Sequence, residues 1–279
     1  MRVERHETEA AAWEVARRMP APALRPYLVS HLEGWEQTRG RPTRLRELPF
    51  PGIPLILNLG PQWRVETATL GHAAMHDSFL AGLHTAPSFV EGDACWACIE
   101  LRLTPLGAHR LLGVPMHELA NRTVPLEELL PHTDELGDSL RATPSWQERF
   151  DLLESFLVRR IADAAPTSEA IEWSWRRLRS SHGRAPVSAL ADELGWSHRR
   201  LIARFREQLG LTPKALARVI RFDRAVTLLS RPPLSGLAGV AYDCGYYDQA
   251  HMNRDFRELA GTTPAGVVAA RADSGGLAA

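Results

Sequence analysis

Two sets of side chains in this chain have the types and spacing for chemistry. The first is His72, His76 and His84 with Cys95 and Cys98, imidazoles and thiols of the kind that ligate metals. Cys95 and Cys98 stand three residues apart in a stretch expected to be extended, so alternation sends their side chains to opposite faces, and no His-x-His pair accompanies them. No metal is therefore expected. A phosphate-cradling glycine loop, a nucleophile elbow and a Glu-bearing zinc helix are all missing from the sequence, so neither catalysis nor a cofactor is expected. The second set is cationic: Arg199, Arg200 and Arg206, then Arg254 and Arg257, with Lys214 between them. Guanidiniums suit guanine edges and phosphate oxygens, and an ammonium suits phosphate.

An internal near-repeat positions the cationic set. Its first copy runs Leu190, Ala191, Leu194, Gly195, then Leu201, Phe205, Arg206, Glu207, Gly210, Thr212, Pro213; its second runs Val240, Ala241, Cys244, Gly245, then Met252, Phe256, Arg257, Glu258, Gly261, Thr263, Pro264. Each copy reads as a short helix, a turn at glycine, and a second helix capped by Ser197 or Asp248, which is helix-turn-helix grammar. Turned at about 100° per residue, the second helix of copy one should bury Leu201, Ile202, Phe205 and Leu209 and present Arg199, Ala203 and Arg206. That of copy two should bury Met252, Phe256, Leu259 and Ala260 and present Ala250, Arg254 and Arg257, with His251 at the edge. Between the copies, Thr212 caps a helix begun at Pro213 and carried to about Ser230. A rod of about 18 residues spans roughly 27 Å, a length compatible with two recognition helices about one DNA turn apart. Tyr242, Tyr246 and Tyr247 are expected to pack around the second turn.

The pattern Leu190 to Gly195, Ser197 to Phe205, Gly210-Leu-Thr-Pro213, Arg221 to Leu229, Val240-Ala-Tyr-Asp-Cys-Gly245-Tyr-Tyr-Asp-Gln249 to Phe256 and Gly261-Thr-Thr-Pro264 resembles the AraC/XylS-type transcriptional regulators. The resemblance covers Ser168 to Arg271. It implies a seven-helix DNA-binding domain joined to a variable sensing or dimerising domain. The chain departs from the family at Ala203, where an arginine is common, and base reading would then rest on Arg199 and Arg200. By the same likeness Gln249 and Arg254 match DNA-contacting positions. The full set expected at DNA is Ser197, His198, Arg199, Arg200, Ala203, Arg206, Lys214, Asp248, Gln249, Ala250, His251, Arg254 and Arg257.

The N-terminal half reads differently. Segments at Tyr27–Leu32, Leu55–Leu59, Trp63–Thr67, Phe79–Leu83 and Ala94–Leu103, broken by Gly and Pro, predict strands of a small β-sandwich or barrel. Thr104 before Pro105 starts a helix, and Ser145 to Ile161 carries a second helical stripe. Trp35, Trp63 and Trp96, with Phe50 and Phe79, are expected mostly in the core, with an apolar ligand pocket lined by the three tryptophans as the second reading. Charge divides the chain at the same place: residues 1–168 carry net −5 and residues 169–271 net +6, within a total of zero.

The expected fold class is α+β: an N-terminal β-rich, cupin-like half-barrel domain with a helical segment, then an all-α double helix-turn-helix domain. The expected divisions are 1–165 for sensing or dimerisation (β-rich 20–103, helical 104–164), 166–271 for DNA and 272–279 for a flexible tail. At 44% hydrophobic and 24% charged residues, with no apolar run near the ~18 residues of a membrane helix, no membrane partner is expected and the location is cytosolic. The expected function is sequence-specific transcription regulation. Its partners would be double-stranded promoter or operator DNA, RNA polymerase, a small-molecule effector and a second copy of the chain. The rivals are a metal-dependent β-barrel enzyme and a DNA-repair fusion, each carrying the helical part as an accessory DNA-binding module. The first needs a metal or a convergent acid–base pair, the second a reactive thiol cluster.

Overall fold

The computed structural model describes residues 1–67, 71, 73–230 and 236–273. Strands come first: β1 (Arg2–Glu7), β2 (Ala12–Arg18), β3 (Leu32–Arg39), β4 (Thr43–Glu47), β5 (Ile53–Asn58), β6 (Trp63–Thr67), β7 (Ala73–His76), β8 (Phe79–Ala81), β9 (Ser88–Gly92), β10 (Trp96–Leu103) and, later, β11 (Thr123–Pro125). They pair antiparallel in two sheets, ordered β1-β2-β3-β10-β5-β8-β11 and β4-β9-β6-β7.

Alternation along the central strands explains what each face of the larger sheet does. On β10, Ile99, Leu101 and Leu103 join the main core, while Trp96 and Cys98 turn to a second cluster with Trp63, Val65 and Phe79. On β5, Ile53, Leu55 and Leu57 take the first side and Ile56 the second. One face therefore carries helices, and the other meets the smaller sheet.

Two strand expectations need correcting. Tyr27–Leu32 is not a strand: Arg25–Tyr27 is a 3-10 turn with Pro26 at its start, only Leu28 bridges to Leu103, and β3 begins at Leu32. Pro26 withholds a ladder N–H and fixes a turn-compatible φ. The strands also start well before residue 20. β1 reads as charged because it is an edge strand, and Arg2, Glu4, Arg5 and Glu7 along it discourage pairing with another chain.

After β10 come α1 (Pro105–Leu112), α2 (Thr133–Ala142) and α3 (Trp146–Ala162). Thr104 Oγ1 accepts from the Gly107 N–H at 3.0 Å, the cap expected from Thr-Pro, and Ser145 Oγ does the same for Glu148. Phe150, Leu153, Leu157 and Ile161 bury one stripe of α3. Trp146 lies against Gly34, where a Cβ would come within 2.3 Å of its ring, and Arg18 on β2 reaches Asp151 at 2.5 Å and Glu154 at 2.7 Å.

The chain then breaks at 165–168 and becomes helical: α4 (Glu169–Ser180), α5 (Val187–Glu193), α6 (His198–Leu209), α7 (Pro213–Leu229), α8 (Gly236–Asp243), α9 (Gln249–Ala260) and α10 (Pro264–Asp273). Of the expected tail, residues 274–279 lie outside the described residues. The two halves share one core cluster, in which α6 packs on α1 and on the 3-10 turn Met116–Glu118. Met116, 1% exposed, sits close enough that a Cβ at Gly210 would be 3.1 Å from its carbonyl oxygen.

Candidate nucleic-acid interface and ligand cavity

Both turn glycines adopt the left-handed conformation that the sequence pattern requires, with φ 62° at Gly195 and 77° at Gly245. The next helix is capped in each unit. Ser197 Oγ accepts from the Arg200 N–H at 3.3 Å, and Asp248 Oδ1 accepts from the His251 N–H at 2.6 Å. Asp248→Ala is expected to cost about 1 kcal/mol of stability through loss of that cap, measured by urea denaturation, with Asp248→Ser retaining most of it.

These caps fix which side chains the helices present. Ser197, His198, Arg199, Arg200, Ala203 and Arg206 are all exposed on or just before α6. Arg200 lies 4.3 Å over the Trp196 ring, which holds its guanidinium at the start of the helix. Arg204, about 100° around from Ala203, instead pairs with Glu207 at 2.7 Å. Ile202 is 39% exposed rather than buried, because Leu201 and Phe205 already fill the inner stripe.

On α9, Gln249, Ala250, Arg254 and Arg257 are exposed after the exposed cap Asp248, while Met252, Phe256, Leu259 and Ala260 are buried as expected. His251 is half-buried, edge-on to Tyr246 at 5.3 Å, and its Nδ1 accepts from the Tyr247 N–H at 3.5 Å, so it braces the turn. Among the described residues no carboxylate pairs with Arg199, Arg200, Arg206, Arg254 or Arg257. Lys214, exposed in the first turn of α7, is the chain's single lysine. The tyrosines depart from expectation: only Tyr246 packs, at 5% exposure, whereas Tyr242 and Tyr247 project into solvent.

The second face of the large sheet lines a partly open cavity of about 750 Å³. Trp35, Trp63 and Trp96 all line it, with Phe50 and Phe79; the Trp63 and Trp96 rings meet edge-on at 5.1 Å. Alternation on β10 brings Glu100 and Arg102 to the same wall, where Arg102 Nε donates to Glu100 at 2.7 Å and its guanidinium lies 5.4 Å from the Phe50 ring. Burial depresses the His84 imidazole in this wall to about 4, so it is neutral near pH 7. The far side of the cavity belongs to the other half of the chain, through Arg179 and His182 at the end of α4 and through Ile220, Asp223 and Arg224 on α7.

Among the described residues the metal candidates do not converge. Cys95 is exposed and Cys98 buried, and burial, then Glu100, pushes the Cys98 thiol well above its ordinary value. His76 packs on Phe79, with its imidazole lowered by burial against the opposing pull of Glu127 and Glu128. His72 lies outside the described residues. Among the described residues no group of three or more His, Cys, Asp or Glu side chains is placed to hold a metal.

Comparison with known proteins adds to this geometry. A helix-turn-helix domain family matches residues 190–269, spanning both units. Those residues hold a helix-turn-helix domain. A family described as a domain of unknown function matches residues 16–125. No curated protein matches the chain. Among solved structures, the chain is similar to unsaturated fatty acid bound wild-type ToxT from Vibrio cholerae strain SCE256, with TM-score 0.51 and 10% identity over 90% of this chain and 96% of that one. ToxT from Vibrio cholerae O395 gives 0.48 and 12% over 85% and 96%, and the AraC-like transcriptional activator CuxR 0.32 and 13% over 77% and 84%.

Within the helix-turn-helix domain, α9 is anchored to α7 by contacts that periodicity does not reveal. Asp255, 4% exposed, accepts from Arg218 Nε at 2.7 Å; Arg218 also pairs with Glu258, and Phe222 meets Phe256 edge-on at 4.8 Å. Asp255 sits in a charged run, and its burial follows only once α7 is placed beside α9. Likewise the contribution of α7 to the cavity carries no local signal, since it arises from residues more than 100 positions after the tryptophans.

Proposed function

We propose that this chain is a sequence-specific DNA-binding transcription regulator whose α6 and α9 read successive major-groove segments, with the cavity as the site of a small-molecule effector. The observation that carries the DNA reading is the pair of capped recognition helices, each presenting unpaired arginines from its N-terminal turns. Base reading falls to Arg199, Arg200 and Arg206 on α6, and to Gln249, Arg254 and Arg257 on α9. Ser197, His198 and Asp248 shape the helix entries. Ala203 and Ala250 admit close approach to base edges, and Lys214 and His251 serve the backbone and the turn. RNA polymerase and a second copy of the chain are the proposed protein partners.

The effector reading rests on the aromatic lining of the cavity, on its size, which suits a small organic molecule, and on walls drawn from both halves. A protein of the same fold, ToxT, is bound to an unsaturated fatty acid, which fits a cavity of this kind. Effector binding changes output only if it favours one state of the whole chain over another.

The test is a randomised-site selection at two salt concentrations. Arg254→Ala is expected to cost about 1–3 kcal/mol on the selected duplex and to relax preference at one base position. Lys214→Ala is expected to weaken all sequences alike and reduce the salt slope by about one. An Arg254→Ala variant with uniformly reduced affinity and unchanged site preference would refute the placement of α9 in the groove.

A further inference from the structure

Beside the second helix-turn-helix turn is a cleft that the recognition helices do not account for. Its walls come from the loop after α4 (Arg184), from α7 (Arg221 and Arg224) and from the turn and first residues of α9, including Tyr247 and His251. Three guanidiniums meet there, and the acid in the wall is Asp243. Among the described residues, no carboxylate lies within ion-pair distance of Arg184, Arg221 or Arg224. Each arginine is instead held by neutral groups. Arg184 gives Nε to the Ser181 carbonyl at 3.2 Å and lays its stem over Gly245, where a Cβ would meet it at 2.7 Å. Arg221 donates to the Gly183 carbonyl at 2.8 Å and faces the Tyr246 ring, and Arg224 lies beside Cys244 with its Nε unpartnered.

Like charges brought together without a counter-charge repel one another, and a bound anion relieves that repulsion. The crowding is felt nearby, where partial burial together with Arg224 and Arg184 holds the His182 imidazole below its ordinary value. A further feature matches the cleft to a phosphodiester. Tyr242 and Tyr247 flank it at 81% and 93% exposure, hydroxyls presented to solvent by rings that bury almost nothing. The twelve-residue helix α9 starts at the same place, but its positive end is already met by the Asp248 cap, so the attraction for an anion rests on the guanidiniums.

We propose that this cleft, built by Arg184, Arg221 and Arg224 and flanked by Tyr242 and Tyr247, grips a DNA backbone phosphate adjoining the bases read by α9. The site rests on the DNA-binding reading and adds an anchor outside the recognition helices. It fixes the register of α9 on the duplex and carries no base preference of its own. Arg221 is the floor, committed to Gly183 and Tyr246, while Arg184 and Arg224 supply the mobile charge.

The experiment uses the full-length chain and the duplex recovered by site selection, with affinity followed by fluorescence anisotropy across a salt series. Arg184→Gln and Arg224→Gln are each expected to weaken binding about tenfold at fixed salt, to lower the slope of log K on log salt by about 0.9, and to leave the selected sequence unchanged. Arg224→Lys should keep the wild-type slope, because the charge remains. Replacing single phosphates beside the α9 half-site with neutral methylphosphonates should find one position that lowers the wild-type slope by the same amount and has no further effect in the Arg184→Gln/Arg224→Gln double variant. That phosphate scan reads the site on the wild-type chain whatever the variants do to folding. A full wild-type slope in the double variant, or a scan with no sensitive position on that side, overturns the cleft while the DNA reading stands. Wild-type protein without affinity for any duplex overturns both.

Discussion

Phe256→Ala is expected to destabilise the chain by about 3–5 kcal/mol and to remove recognition by the second unit. Its ring is fully buried and meets Phe222 edge-on at 4.8 Å, so truncation loses the transfer free energy of the removed atoms and leaves a cavity between α7 and α9. The Arg218–Asp255 pair beside it cannot close that gap, because its 2.7 Å contact already fixes the local spacing of the two helices. Urea denaturation followed by helical circular dichroism gives the stability loss. Anisotropy with half-site duplexes should show α6-side binding retained and α9-side binding lost. Phe256→Leu, which keeps most of the volume, should cost well under half as much. A loss below about 1 kcal/mol for the alanine variant would mean that the α7–α9 packing is not as described.

Acid should weaken the fold through His84. Its folded value lies near 4 against 6.5 for the free side chain, because burial penalises the imidazolium. The unfolded chain therefore takes up a proton below about pH 6.5 while the folded chain does not. The stability contributed by neutral His84 is complete above pH 6.5 and is lost progressively as pH falls towards 4, by about 3 kcal/mol in all. His76, lowered in the same direction, adds to the trend. The check is the urea midpoint at pH 7, 5.5 and 4 for wild type and His84→Gln. The gap between the two proteins should shrink or reverse as pH falls, and parallel curves would contradict the assignment.

The helical half was legible in sequence because its rules are local. Gly195 and Gly245 announce left-handed turns, Ser197, Thr212 and Asp248 announce caps, and a 3.6-residue stripe separates Phe205 and Phe256 from the arginines outside. Ile202 and the two exposed tyrosines escaped because periodicity ranks positions around a helix without showing whether a neighbour covers them. The β half was legible where a strand carries buried apolar residues, as on β5, β6, β8 and β10. β1 escaped because an edge strand carries charge, and the Tyr27–Leu32 expectation failed because Pro26 outweighs the apolar residues after it. Of the cavity, the three tryptophans could be named in advance. The wall supplied by α4 and α7 could not, since only the tertiary arrangement brings Arg179 and Arg224 opposite Trp63 and Trp96.

The contact of α6 with α1 and the Met116–Glu118 turn bears on how this architecture can be recombined. A single core cluster extends from Ala16 to Val267, so the joint between the halves is sealed by apolar packing as well as by a linker. A chimera that grafts residues 166–279 onto a foreign sensor inherits half of that seal and exposes the surface of α6 and Gly210 that α1 and the Met116–Glu118 turn now help to cover. Interchangeable parts would have to be cut upstream of α1, so that the helix and turn travel with the DNA-reading half as its lining. The natural unit of exchange in this chain is therefore offset from the place where its charge changes sign.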